Sequence, residues 1–330
     1  MKVTVIGGGS WGTALAQLLA EKGYEVPLLV RDEKQADAIN STRENAKYLP
    51  NVPLHTNITA TTNAQTALTN VRHILFSVPC QVFRDTLKKH EPLIEKGTTI
   101  ICSNKGLELE TGKTVSEVVT EELGHKKPIF AMLSGPSFAA EVVRGMPTAV
   151  VLGCCDQRCG KELREMFSNE NFRAYSSTDV LGVELGGAFK NVIAIAAGMS
   201  DGLRFGSNAR AALITRGLAE MSRLGVAMGA KAETFMGLSG MGDLVLTCTG
   251  DLSRNRQVGL KLGQGKTLSQ IMEEMHQVAE GVKTTTAVHR LAQRLQIELP
   301  ITSTMHAIIH DGKDPQAAWR ELMKRELREE

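Results

Sequence analysis

Residues 2–32 read KVTVIGGGSWGTALAQLLAEKGYEVPLLVRD, and this stretch decides the fold. Lys2 to Ile6 is a short apolar run suited to a buried strand, and Gly7-Gly8-Gly9-Ser10-Trp11-Gly12 follows it at once with the spacing G-x-G-x-x-G. From Thr13 to Lys22 the apolar residues Ala14, Leu15, Leu18 and Leu19 recur at helical spacing, and Gly23 ends the run as a C-cap glycine would. Residues 25–30 predict a second strand, which ends at Arg31-Asp32. A glycine pattern between a strand and a helix marks a dinucleotide site, whereas the same pattern alone would be weak. Size assigns the roles: Gly7 permits the tight turn, Gly9 lets the backbone approach a pyrophosphate, and Gly12 lets helix and strand pack closely. The free N–H groups and dipole of the helix start then favour phosphate charge.

Outward from this unit, residues 71–78, 98–102 and 129–133 predict further strands. They lead into Pro79, into Ser103-Asn104-Lys105-Gly106 and into Ser134-Gly135-Pro136-Ser137. In an open parallel sheet ligands lie beyond the carboxyl ends of the strands, so the three turns are expected to face one crevice. Residues 148–152 and 172–175 add strands around a helix at 158–167. Beyond Asp179 no strand-like enrichment remains, and helical spacing runs through 180–198, 208–224, 253–262, 267–275, 284–295, 300–309 and 315–325. The expected fold is α/β: an N-terminal Rossmann-type doubly wound sheet over 1–179, binding NAD(P), followed by an all-helical C-terminal domain over 180–330 that binds substrate. A chain of 330 residues suits two cores.

The formal net charge of +2, with no long run of like charge, argues against nucleic acid or an anionic membrane as partner and for small-molecule chemistry. No apolar run approaches the ~18 residues of a membrane span, so none is expected. MKVTVIGGG passes straight into the first strand and leaves no room for an export signal, which predicts a cytoplasmic protein. The final KRELREE is expected to be a solvated helix end. Cys80, Cys102, Cys154, Cys155, Cys159 and Cys248 show no zinc-type spacing and are expected to be reduced thiols; His306 and His310 share a helical spacing but lack a third ligand. No metal is expected.

Residues 186–199, GGAFKNVIAIAAGM, contain Lys190 and Asn191 in an otherwise apolar helix. A helix apolar on every side belongs inside a protein, where an ammonium needs a charge partner, a ligand or a task. The alternative is that Lys190 snorkels to the surface from one edge. Further along, Ser239-Gly-Met-Gly-Asp243-Leu-Val-Leu-Thr247 sets one carboxylate among small residues. Ser253-Arg254-Asn255 opens a helix, and a helix start, a guanidinium and an amide donor together would hold a phosphate. A capped surface helix with solvated arginines would look the same. Glu280, in the turn Val278-Ala279-Glu280-Gly281, could accept from a cofactor amide or ribose, or serve as a plain capping carboxylate. Arg31 suits the 2′-phosphate of NADPH/NADP, with Asp32 pointing away; NADH/NAD stays open, as does a solvated Arg31–Asp32 pair.

GGGSWGTALA, SNKGLE, LSGPSFAAEV, ELGGAFKNVIAIAAG, GLSGMGDLVLTCTG and SRNRQVG, in this order over nearly the whole chain, resemble the bacterial NAD(P)-dependent glycerol-3-phosphate dehydrogenases. The resemblance implies a soluble, cytoplasmic homodimer that reduces dihydroxyacetone phosphate to sn-glycerol 3-phosphate for glycerophospholipid synthesis. It implies Lys190 as the catalytic lysine, and Lys105, Gly135, Ser137, Lys190, Asp243, Ser253, Arg254 and Asn255 as substrate contacts. Ser10, Trp11, Arg31, Lys105, Ala139, Arg254, Val278 and Glu280 would join Gly7, Gly9 and Gly12 as cofactor contacts, with Asn191 and Thr247 near the substrate. In this reading the Lys190 ammonium polarises the ketone oxygen and then gives it a proton. One alternative is another reductase of the same two-domain plan, such as a 3-hydroxyacid dehydrogenase, whose substrate is a carboxylate; the phosphate-shaped site at residues 253–255 argues against it. A second is a non-catalytic NADP-binding sensor or scaffold, in which Lys190 would be dispensable.

Overall fold

The computed structural model describes residues 1–275 and 279–326. The chain divides into two compact units: one comprises Met1–Lys105 and Thr114–Glu184, and the other Gly106–Lys113 and the chain from Leu185 on.

The first unit alternates strands and helices in the order β1 (Val3–Ile6), α1 (Ser10–Glu21), β2 (Val26–Leu29), α2 (Glu33–Thr42), β3 (Ile58–Thr61), α3 (Ala64–Leu68), β4 (His73–Phe76), α4 (Phe83–His90), β5 (Thr99–Cys102), α5 (Val115–Leu123), β6 (Ile129–Ser134), α6 (Ala139–Val142), β7 (Thr148–Cys154), α7 (Gln157–Phe167) and β8 (Phe172–Ser177). They form one sheet in the order β3-β2-β1-β4-β5-β6-β7-β8. The chain winds outward from β1 to β3, returns to place β4 beside β1, and winds the other way: this is the doubly wound plan, with its switch point between β1 and β4. Strands β1, β2, β4 and β5 are buried at every position, which is why each is mostly apolar on both faces rather than alternating, with only Thr4, His73 and Thr99 as buried polar residues among them.

The sheet is not parallel throughout. β7 runs antiparallel to β6, and β8 runs parallel to β7. The link at 135–147 holds only the four-residue α6 and turns back beside β6, whereas a parallel neighbour needs a full crossover. At the end of the unit Glu184 is buried and accepts from Ser116 N (2.8 Å) and Ser116 Oγ (2.5 Å) in the first turn of α5. Burial raises its carboxyl to about 7, against the pull of these hydrogen bonds.

In the second unit all regular structure among the described residues is helical: α8 (Val180–Gly202, which begins in the first unit), α9 (Gly206–Ala227), α10 (Ala232–Phe235), a π turn at Leu238–Gly242, α11 (Asp243–Thr249), α12 (Arg254–Gly263), α13 (Leu268–Glu274), α14 (Glu280–Leu295), α15 (Pro300–His310) and α16 (Pro315–Met323). The expectation of no membrane-length apolar run needs correction, because α8 is long and apolar enough to cross a bilayer; 89% of its apolar window is buried within the protein. Its neighbour α12 lies at backbone contact. A Cβ on Gly198 would stand 2.0 Å from Arg256 O, one on Gly202 2.3 Å from Leu260 O, one on Gly259 1.9 Å from Ile195 O and one on Gly263 2.4 Å from Met199 O. Paired glycines four residues apart on both helices thus set the distance between them. Glu220 on α9 accepts from Thr302 N (3.1 Å) and Thr302 Oγ1 (2.9 Å), closing the start of α15. From residue 327 on, the tail lies outside the described residues.

Candidate active site

The glycine turn of the first unit keeps space that its own chain does not use. A Cβ on Gly7, whose φ is +116°, would stand 2.3 Å from Ser77 O, and one on Gly12 would stand 2.0 Å from Gly7 O, so both are excluded by backbone. A Cβ on Gly9 would meet nothing within 4 Å. Gly9 is thus not required by packing, and its open face fits a group from outside the chain. It N-caps α1, which has neither a side-chain cap nor an acidic residue in its first turn, so its N–H groups suit a pyrophosphate. Two residues not anticipated from sequence hold this turn: Gln35 Nε2 and Asn45 Nδ2 donate to Gly8 O at 2.7 and 2.9 Å. Ser10 Oγ donates to Tyr48 O at 2.6 Å, and the Trp11 Nε1 is buried without a protein partner. Asp32 caps α2 by accepting from Lys34 N at 3.0 Å, which turns it to its own helix. Arg31 is exposed, and no hydrogen bond or ion pair to a described residue holds it.

At the carboxyl ends of β5 and β6 the turns named from sequence come together. Lys105 Nζ donates to Gly135 O at 3.1 Å, and Ser137 Oγ donates to the same oxygen at 3.0 Å. Gly135 has φ +132°, and a Cβ there would be 2.9 Å from Val150 Cα. Ala139 starts α6. Beside them Asn104 and Ser134 are 4% and 3% exposed; both amide atoms of Asn104 and the Ser134 hydroxyl are buried without a protein partner. Buried polar groups are nearly always satisfied, so this pair marks the strand ends as unfinished. Asn104 stands in the turn quoted above, but only its neighbour Lys105 was singled out.

In the second unit Lys190 does not snorkel. It is buried in α8, and its Nζ donates to Asp243 Oδ1 at 2.6 Å and to Thr247 Oγ1 at 2.7 Å; the Lys190 and Asp243 side chains are 8% and 1% exposed. Asp243 and Thr247 share a face because the stretch expected to be a string of small residues is a π turn leading into α11, where they stand four apart. Thr247 Oγ1 donates to Asp243 O at 2.6 Å and so meets Lys190 with a lone pair. An ammonium here carries a counter-charge and a neutral acceptor, the arrangement a buried acid needs to stay charged.

Ser253 caps α12 by accepting from Arg256 N at 3.2 Å. Arg256 is committed to structure, with Nε and Nη2 on Asp201 Oδ2 at 3.1 and 2.8 Å. Arg254, one residue past the cap, is exposed at the helix start; nearby protein holds its guanidinium below the usual value and the Glu280 carboxylate opposes this. α14 begins at Glu280, four residues earlier than the apolar spacing suggested, so Glu280 lies in its first turn. Asn255 Nδ2 donates to Asn191 Oδ1 at 2.9 Å, and Gly281 N donates to Asn255 Oδ1 at 3.0 Å. The start of α12 is thus hydrogen-bonded to Asn191, the residue after Lys190 in α8. Val278 lies outside the described residues, and among those described no three metal-ligating side chains cluster.

The family description "NAD-dependent glycerol-3-phosphate dehydrogenase N-terminus" matches residues 2–160, and its C-terminal counterpart matches residues 179–320. The chain belongs to this family. A protein of Oleidesulfovibrio alaskensis named glycerol-3-phosphate dehydrogenase [NAD(P)+] is 64% identical over 330 residues, with both chains covered in full. A protein of the same name from Nitratidesulfovibrio vulgaris is 60% identical, again with both chains covered in full. The crystal structure of a glycerol-3-phosphate dehydrogenase from Coxiella burnetii superposes with a TM-score of 0.94 at 44% identity, covering 98% of this chain and 99% of that one.

Proposed function

We propose that this chain catalyses the reversible NAD(P)H-dependent reduction of dihydroxyacetone phosphate to sn-glycerol 3-phosphate. The observation that carries the reading is the buried Lys190 ammonium held by Asp243 and Thr247, in a chain whose relatives bear that activity in their names. Reduced nicotinamide, when bound, supplies the hydride. Gly7, Gly9 and Gly12, with Ser10 and Trp11, cradle the pyrophosphate, Arg31 faces the adenosine ribose, and Lys105, Ala139, Arg254, Val278 and Glu280 complete the cofactor contacts. Arg31 favours NADPH/NADP, with NADH/NAD as the alternative cofactor. The helical domain beyond residue 179 is the substrate and catalytic part in this reading.

Reduction places negative charge on the ketone oxygen. Lys190 stabilises that charge and transfers a proton to the oxygen, and it takes the proton back when the alcohol is oxidised. Asp243 keeps Lys190 charged before the transfer, and Thr247 holds its direction. Arg254, Ser253 and Asn255 at the start of α12 bind the phosphate and so convert remote binding into orientation of the carbonyl. Lys105, Gly135 and Ser137 contribute further substrate contacts. The enzyme works as a cytoplasmic homodimer and feeds glycerophospholipid synthesis. The test is loss of reduced-nicotinamide absorbance on adding dihydroxyacetone phosphate, run beside several 2-oxo and 3-oxo acids. Turnover of the phosphorylated ketone alone supports the proposal, and turnover of an oxo acid alone refutes it.

A further inference from the structure

Asn255 and Asn191 carry information that neither sequence position holds alone. The Gly281 N–H points at Asn255 Oδ1, 3.0 Å away. A backbone N–H only donates, so the atom it meets is the amide oxygen, and the Asn255 carboxamide has one orientation instead of two. Its Nδ2 then faces Asn191 at 2.9 Å, and a nitrogen donor again requires an oxygen opposite. One backbone group thus sets the flip of two carboxamides in series, the second on Asn191, which follows Lys190 in α8. The absence of a side chain at Gly281 is part of the device. A Cβ there would stand 2.7 Å from Asn255 Oδ1, 2.8 Å from Asn191 O and 2.9 Å from Ile195 Cδ1. The backbone contact between α8 and α12 holds the two asparagines at this separation.

We propose that Gly281, Asn255 and Asn191 form a hydrogen-bond relay that orients the amide next to Lys190. Asn255 is then a positioning residue for the carbonyl end of the site besides any contact it makes with phosphate, and Gly281 is the anchor of the relay. The inference rests on the proposed reduction of a phosphorylated ketone. A residue that serves only the phosphate matters only to substrates that carry one. A residue that orients the amide beside Lys190 also affects turnover of the same ketone without its phosphate.

The test uses the full-length chain and its Asn255→Ala, Asn191→Ala, double and Gly281→Ala variants, with saturating reduced cofactor and either dihydroxyacetone phosphate or dihydroxyacetone. Asn255→Ala should lower kcat/KM for dihydroxyacetone about tenfold, the order expected from losing one or two net hydrogen bonds. The double variant should be no worse on dihydroxyacetone than the worse single variant, because the two residues act in series. Gly281→Ala should lower kcat for the phosphorylated ketone with little change in KM. Cofactor affinity and melting temperature report folding, and should Gly281→Ala fail to fold, the asparagine cycle still decides. Full activity of Asn255→Ala on dihydroxyacetone, or losses that multiply in the double variant, would overturn the relay alone. No turnover of either ketone by the unaltered chain would overturn the function with it.

Discussion

Asp243→Asn removes one charge and almost no volume from the centre of the site. The carboxylate lies 2.6 Å from Lys190 Nζ, and the two side chains are 1% and 8% exposed, so bulk water screens the pair little. At an effective dielectric of about 20, charges at that separation attract by about 6 kcal/mol, and much of this offsets the cost of having taken both from water. Removing one partner of such a pair generally costs about 3–5 kcal/mol. The asparagine oxygen can still accept from Lys190, which places the expected loss near the lower end, about 3 kcal/mol at pH 7. Urea denaturation at pH 7 reads this loss. Ketone reduction at pH 7 should fall by about two orders of magnitude or more, since the proton donor loses the carboxylate that holds it in place. A stability difference below about 1 kcal/mol would show that Asp243 does not hold the lysine charge.

Three further outcomes follow from the first unit. Gly9→Ala should leave the melting temperature nearly unchanged and weaken cofactor binding, since a Cβ there meets only open space; Gly12→Ala should destabilise the fold, since its Cβ would lie 2.0 Å from Gly7 O. Calorimetry and cofactor titration distinguish the two, and equal melting temperatures would contradict the assignment. Glu184 titrates near 7 in the fold against an ordinary 4.5, so its stabilisation is complete below about pH 4.5 and is lost as pH rises through 7, by about 3 kcal/mol at about 1.4 kcal/mol per pH unit. Glu184→Gln should therefore gain stability relative to the unaltered chain from pH 5 to pH 8, and a constant difference across that range would argue that the carboxyl is ionised throughout. Arg31→Ala should weaken NADPH by more than NADH in fluorescence titration, and equal losses would remove Arg31 from cofactor selection.

Local signals predicted the parts of this fold that local forces make. The glycine turn was legible because backbone clashes at Gly7 and Gly12 leave no other residue type, and the buried strands showed as apolar runs. The reversed β7 was not, since a strand has the same composition in either direction and the turn-back depends on the short link after β6. Lys190 stood out as one charge in an apolar helix, but its partner lay 53 residues away on a helix whose start is a π turn, a form without a periodic signature. The early start of α14 was hidden because Glu280 and Gly281 belong to no apolar stripe. Asn45 comes from a stretch without periodicity, and its bond to Gly8 exists only in three dimensions. The glycines spaced by four on α8 and α12 are visible in the sequence, but their meaning as a contact needs both helices at once.

The most direct test of the account is single-turnover reduction of dihydroxyacetone phosphate by Lys190→Ala, followed by the absorbance of the reduced nicotinamide. The prediction is that the hydride-transfer step slows by at least about a hundredfold while the affinity for reduced cofactor, set by the intact glycine turn, is unchanged. A variant that reduces the ketone at the rate of the unaltered chain would contradict the role assigned to the enclosed lysine.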